Sequence, residues 1–184
     1  MNPCLFLDCL LDFTRRIRRF YFTLGDRAEL PAEIRFFWNC KAEDERHSLA
    51  ILERSAGLGD LIESPPQVSK ETLTEIETKV AAAEVAAQRS DLSLDEALRL
   101  ALTLESSGLG RLGDVWFQGF RPTLGSLLQA LTPGEEGHLR RLVEAVYVFS
   151  GDEALRNHAA TIWSAYQHDR DFPPCSEGLM RSEH

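Results

Sequence analysis

Cysteine is scarce in this chain and forms no pattern. Cys4, Cys9, Cys40 and Cys175 give no C-x-x-C pair and no disulfide ladder, which excludes a rubredoxin-type iron site and reads as reduced thiols in a cytoplasmic protein. β-branched residues are also few, and no segment keeps a period of two, so a sheet has little to be built from. No unbroken apolar run approaches the ~20 residues that a membrane span needs. Residues 4–11 are apolar, but Asp8 interrupts them and the arginines follow them, an order opposite to that of a secretory signal. Positive charge is short as well. With 20 Lys and Arg against 29 Asp and Glu, the formal net charge is -9, which argues against nucleic acid as a partner because phosphate contacts need a clustered positive surface. The local exception is Arg15, Arg16, Arg18 and Arg19. A solvated helix face is the expected reading of that run, and contact with an anionic membrane is the lesser alternative.

What is present is helical periodicity, in a chain of 184 residues that is long enough for one domain with a sizeable core. Phe6, Leu10, Phe13, Ile17, Phe20, Tyr21 and Leu24 recur every three or four residues over 4–24, and Gly25 with Asp26 ends that helix. A second helix opens at Pro31 and carries Ile34, Phe37, Cys40, Asp44, His47 and Ile51 on one stripe. Pro65 and Pro66 mark a loop. The alanine-rich stretch 69–88 predicts a crossover helix packed on the outside. Ser93 with Glu96 is a capping box that launches a helix bearing Leu98, Leu102, Glu105, Leu109, Leu112 and Trp116. Pro122 opens another, with Leu124, Leu128, Leu131, Glu135, His138, Leu142 and Val146 in line, and 152–167 predicts a last amphipathic helix. The expected fold is all-α. One domain over 1–172 forms an antiparallel four-helix bundle with a long crossover helix and an additional C-terminal helix, followed by a loose tail at 173–184.

A shift of 91 positions brings the two halves into register: Pro31 falls on Pro122, Asp44 on Glu135, His47 on His138 and Ile51 on Leu142, while Glu105 falls opposite Thr14. Residues three apart share a helix face, so Asp44 with His47 and Glu135 with His138 can each bind one ion. Each pair interrupts an apolar run, which directs it toward the core. Buried carboxylates cost several kcal/mol each unless protonated, hydrogen-bonded or bound to a cation, so a divalent ion is the natural counterpart. Di-iron bundles use a glutamate from each of two helices and a Glu-x-x-His from each of the other two. By that pattern the expected metal ligands are Asp44, His47, Glu105, Glu135 and His138, with Thr14 at the position of the missing ligand and Glu43 or Asp12 as a substitute. Alternatively Arg15 or Arg18 swings inward and replaces the metal by an ion pair.

The stretches FTRRIRRFYFTL, AEDERHSLAIL, DEALRLALTLESSGL and EEGHLRRL, in that order, resemble the rubrerythrin-like branch of the ferritin-like superfamily over residues 10–149. The resemblance implies a ferritin-like fold and a cytoplasmic homodimer. It also implies one or two iron ions, manganese and zinc being chemically suitable too, in an oxidoreductase or peroxidase that acts on peroxide or oxygen. The chain departs from the family at Thr14, where a bridging glutamate is expected, at Asp44, which shortens a glutamate, and at Pro133 and Gly134, which break the fourth helix just before its ligands. Simpler readings stand beside these. Glu135 completes a capping box with Thr132, His138 is a core histidine, and Asp44 and Glu43 pair with Lys41 or Arg46 in solvent. On those terms the chain is a metal-free bundle serving as a structural or protein-interaction module.

Overall fold

The computed structural model describes residues 2–132 and 135–171, and for Glu135 and residues 169–171 the backbone alone. The expected tail at 173–184, the Pro133–Gly134 pair and Cys175 lie outside the described residues. Eight α-helices follow one another there: α1 (Pro3–Gly25), α2 (Ala32–Ala56), α3 (Lys70–Ala87), α4 (Leu94–Glu105), α5 (Leu109–Gln118), α6 (Pro122–Leu131), α7 (Glu135–Phe149) and α8 (Glu153–Asp171). The all-α expectation holds. No helix among the described residues is long and apolar enough to cross a membrane.

Local chemistry sets the helix starts. Side-chain oxygens of Asn2, Ser69 and Ser93 accept from the backbone N–H of Cys4, Thr72 and Glu96, satisfying donors that have no partner within their own helix. Asp152 does the same for Ala154 and Leu155 at the head of α8. The apolar faces then pair. α1 lies along α2 in the most extensive helix contact, α3 packs against both α1 and α4, α4 against α7, and α7 against α8. Phe6, Phe20, Tyr21, Leu24, Ile34, Trp38, Leu98, Leu102, Leu142, Val146 and Leu155 are sealed from solvent in one core. Each large apolar side chain buried in this way contributes roughly 1.5–3 kcal/mol. Arg16 of α1 ties on α3 by reaching Glu77 at 2.7 Å and Glu84 at 2.8 Å, and its guanidinium pKa is raised by those hydrogen bonds.

Two expectations need correction. The helix predicted to run from Ser93 past Trp116 breaks after Glu105, because the Ser106 and Ser107 hydroxyls bond back to Leu102 and Leu104 and Gly108 takes φ of 84°. The segment from Pro122 to Val146 is, as expected, broken into two helices, with α6 ending at Leu131 and Thr132 extended. In α2 the expected stripe holds at its two ends, Ile34 and Ile51, but between them it is displaced by one residue: Trp38, Lys41, Ala42 and Glu45 point inward, while Phe37 and Asp44 are half-buried and Cys40 and His47 exposed. The alanine-rich α3 packs as predicted on its neighbours' flank, but it buries a full face through Ile76, Val80 and Ala83.

The connection between α5 and α6 is tight. The Gly119 carbonyl accepts from the backbone N–H of Glu63 and Ser64 at 2.8 and 3.1 Å, and α6 crosses the end of α5 at Gly125, where an added Cβ would overlap the Phe117 carbonyl oxygen. Gly125→Ala is therefore expected to lower the unfolding free energy by about 1–3 kcal/mol in a urea titration. The same change at Gly113, whose added Cβ meets nothing within 4 Å, should cause no such loss.

Candidate functional site

The displaced stripe of α2 carries two charged residues into the interior. Lys41 and Glu45 lie one helical turn apart on the face that also bears Trp38 and Ala42, and they are 1% and 7% exposed. Glu105 approaches from the last turn of α4, 12% exposed at its side chain, and His138 from the first turn of α7, 5% exposed. Tyr21 of α1, fully buried and stacked on Trp38 at 5.9 Å, closes the group. Four helices thus meet in one polar cluster inside an apolar core.

The Lys41 ammonium is its centre. It forms an ion pair with Oε1 of Glu105, lies 3.2 Å from Nδ1 of His138, and sits 5.1 Å above the centroid of the Tyr21 ring. Tyr21 donates its hydroxyl proton to the same Glu105 oxygen at 2.7 Å, and Oε1 of Glu45 stands 3.5 Å from His138 Nδ1. An ammonium has only donors, so Nδ1 of His138 accepts from it and the network assigns the ring proton to Nε2. That nitrogen has no hydrogen-bond partner among the described residues.

Electrostatics follow from this geometry. Burial alone would push the Glu105 carboxyl pKa up, but the Lys41 charge and hydrogen bonds from Lys41 and Tyr21 hold it below its ordinary value of 4.5. Burial, together with the charges of Glu105 and Glu45, pushes the Tyr21 phenol well above 10. Candidate ligand atoms of Glu45, Glu105 and His138 all lie within 4.8 Å of one another, so the three can hold one ion in common.

Of the ligands expected from the sequence, the structure brings Glu105 and His138 together. Asp44 instead pairs with Arg141 at 2.5 Å, and the exposed His47 places Nε2 3.0 Å from the Leu131 carbonyl oxygen. Their displacement follows from the shift of the interior stripe by one residue, about 100° of rotation around the helix. Glu43 is exposed and bonded to Arg46 at 2.6 Å, and the Thr14 hydroxyl, though buried, donates to Leu10 O at 2.8 Å. Asp12 faces solvent beside Arg16, and Arg15, which was a candidate to swing inward, pairs outside with Glu53 at 2.9 Å. The side chain of Glu135 lies outside the described atoms. Lys41 and Glu45 were missed. Their signal was available in the sequence as a stripe of Trp38, Lys41, Ala42, Glu45 and Leu52, but two charges within it weakened its apolar score.

Comparison with family models, with curated proteins and with solved structures finds no match to this chain.

Truncating Lys41 to alanine leaves Glu105 as a buried charge without its cation, which should cost roughly 3–5 kcal/mol in urea or thermal unfolding. Tyr21→Phe, which removes one hydrogen bond to a charged group, should cost about 1.5–3 kcal/mol. Because the Glu105 pKa is lowered on folding, its contribution is present above 4.5 and is lost as pH falls below that and through the lower folded value. The Tyr21 pKa is raised, so its contribution is present below 10 and is lost as pH climbs through the higher folded value. Stability measured across pH should therefore show a shallower acid limb in Glu105→Gln and a shallower alkaline limb in Tyr21→Phe than in the wild type.

Proposed function

We propose that this chain is a ferritin-like helical bundle that works without a metal, with the Lys41 ammonium standing in for the cation such bundles hold, and that it serves as a structural or protein-interaction module. The ferritin-like assignment is supported by α1, α2, α4 and α7 each sending a polar side chain to one interior point, with Glu105 and His138 where that fold's ligands are expected. The observation that carries the metal-free reading is the ion pair of Lys41 with Glu105 combined with its 3.2 Å contact to His138 Nδ1. A metal ion and an ammonium compete there for the same lone pairs. Were both present at ~4 Å, their repulsion would be about 4 kcal/mol per unit of metal charge at a dielectric typical of proteins. A di-iron centre fits worse still, since two carboxylates offset by one ammonium cannot balance two divalent ions.

The interaction half of the reading draws on α6. That helix buries Gly125 and Leu128 but turns Leu127 and Leu131, one turn apart, outward at 57% and 53% exposure.

A second reading, the rubrerythrin-like one, places a single iron, manganese or zinc ion among Glu45, Glu105 and His138, and the 4.8 Å spread of those ligand atoms favours it. It requires Lys41 to leave the cluster and rehouse its charge. Protein purified from iron-replete cells decides between the two. The metal-free reading expects no stoichiometric metal by elemental analysis and no rise in melting temperature with ferrous, manganous or zinc ions. Bound metal that is lost when Glu105 and His138 are both changed to alanine would replace it with the second reading.

A further inference from the structure

We infer that Glu45, Glu105 and Nδ1 of His138 form a complete three-ligand site for one divalent transition-metal ion, which Lys41 keeps closed by occupying it with its own charge. This rests on the metal-free reading above and specifies what that reading leaves behind when the lysine is removed.

Three features carry it beyond a mere group of acids. The ligand atoms are already within 4.8 Å of one another without any ion to gather them, so the fold supplies the spacing. A cation is already lodged among them, since Lys41 contacts two of the three, and its buried position leaves the ammonium no solvent to share its charge with. Third, the ammonium fixes the tautomer of His138. By donating to Nδ1 it keeps that lone pair turned toward the cation and leaves the proton on Nε2, which is the form in which an imidazole binds metal through Nδ1. With Lys41 in place, Glu45 and Glu105 give the cluster a formal charge of -1, and without it -2, which one divalent ion balances. Two carboxylates and an imidazole suit cobalt, zinc, manganese or ferrous iron.

The test uses the full chain with Lys41→Met, which keeps the length and flexibility of the side chain and removes its charge. Cobalt(II) is titrated into chelator-treated wild type, Lys41→Met and the double variant Lys41→Met/His138→Gln, following the visible d–d bands and the melting temperature. Lys41→Met should bind one cobalt ion at least roughly tenfold more tightly than wild type, with a rise in melting temperature, and the double variant should lose most of that gain. If Lys41→Met is unfolded without metal, recovery of its helical circular dichroism on adding cobalt supports the site equally well, and failure to recover overturns it. Absence of cobalt binding in a folded Lys41→Met also overturns it while leaving the metal-free reading in place. Wild type that binds cobalt as tightly as Lys41→Met overturns both, because the lysine then closes nothing.

Discussion

An ammonium, two carboxylates and an imidazole cannot be taken out of water singly without a cost of several kcal/mol each, and in this protein they are taken out together. Lys41 is all but sealed from solvent, and everything that makes its burial tolerable comes from elsewhere in the chain: Glu105 from α4, His138 from α7, the Tyr21 ring from α1. The cluster is therefore a statement about assembly. Each of the four helices that surround it must be at its proper rotation and depth before the charges cancel. A bundle with α2 turned by one residue would place Asp44 and His47 inside and strand the Glu105 carboxylate without Lys41. Apolar packing drives the helices together, and the ionic centre favours one rotation of α2 among those that packing alone would allow.

That same rotation marks the limit of what could be read from the residues. Helix content, most boundaries and the inward direction of Glu105 and His138 were legible, because long runs of three- and four-residue spacing and a serine cap leave strong marks. The face of α2 was not. Phe37 and Cys40 made one stripe look apolar, yet both lie at its margin or outside it, while the true stripe contains Lys41 and Glu45 and so reads as polar. Hydrophobic pattern assigns a charged residue to solvent unless its partner is known, and here the partners lie 64 and 97 positions further along the chain in Glu105 and His138. The apparent repeat of 91 positions misled for a related reason. It matches residue types between His47 and His138, whereas their surroundings differ: one is exposed against the Leu131 carbonyl and the other is buried beside Lys41.

The interruptions of the long predicted helices fall beside the cluster. α4 ends at Glu105 itself, and the two serines that follow turn their hydroxyls back onto its carbonyls before Gly108 reverses the backbone. His138 comes only one turn after the start of α7. Helix ends can be adjusted in depth more freely than helix middles, so these positions let a short carboxylate arm and an imidazole reach a lysine that is fixed in the middle of the continuous α2.

Ending α4 at an acidic residue has one more consequence. The aligned peptide dipoles of a helix leave partial negative charge at its C-terminal end, where a carboxylate is disfavoured and a basic side chain is normally welcome. α4 has no basic residue in its own last turn. Lys41 of α2 brings its ammonium to the carboxylate at that end, so the charge that the dipole disfavours is answered from another helix.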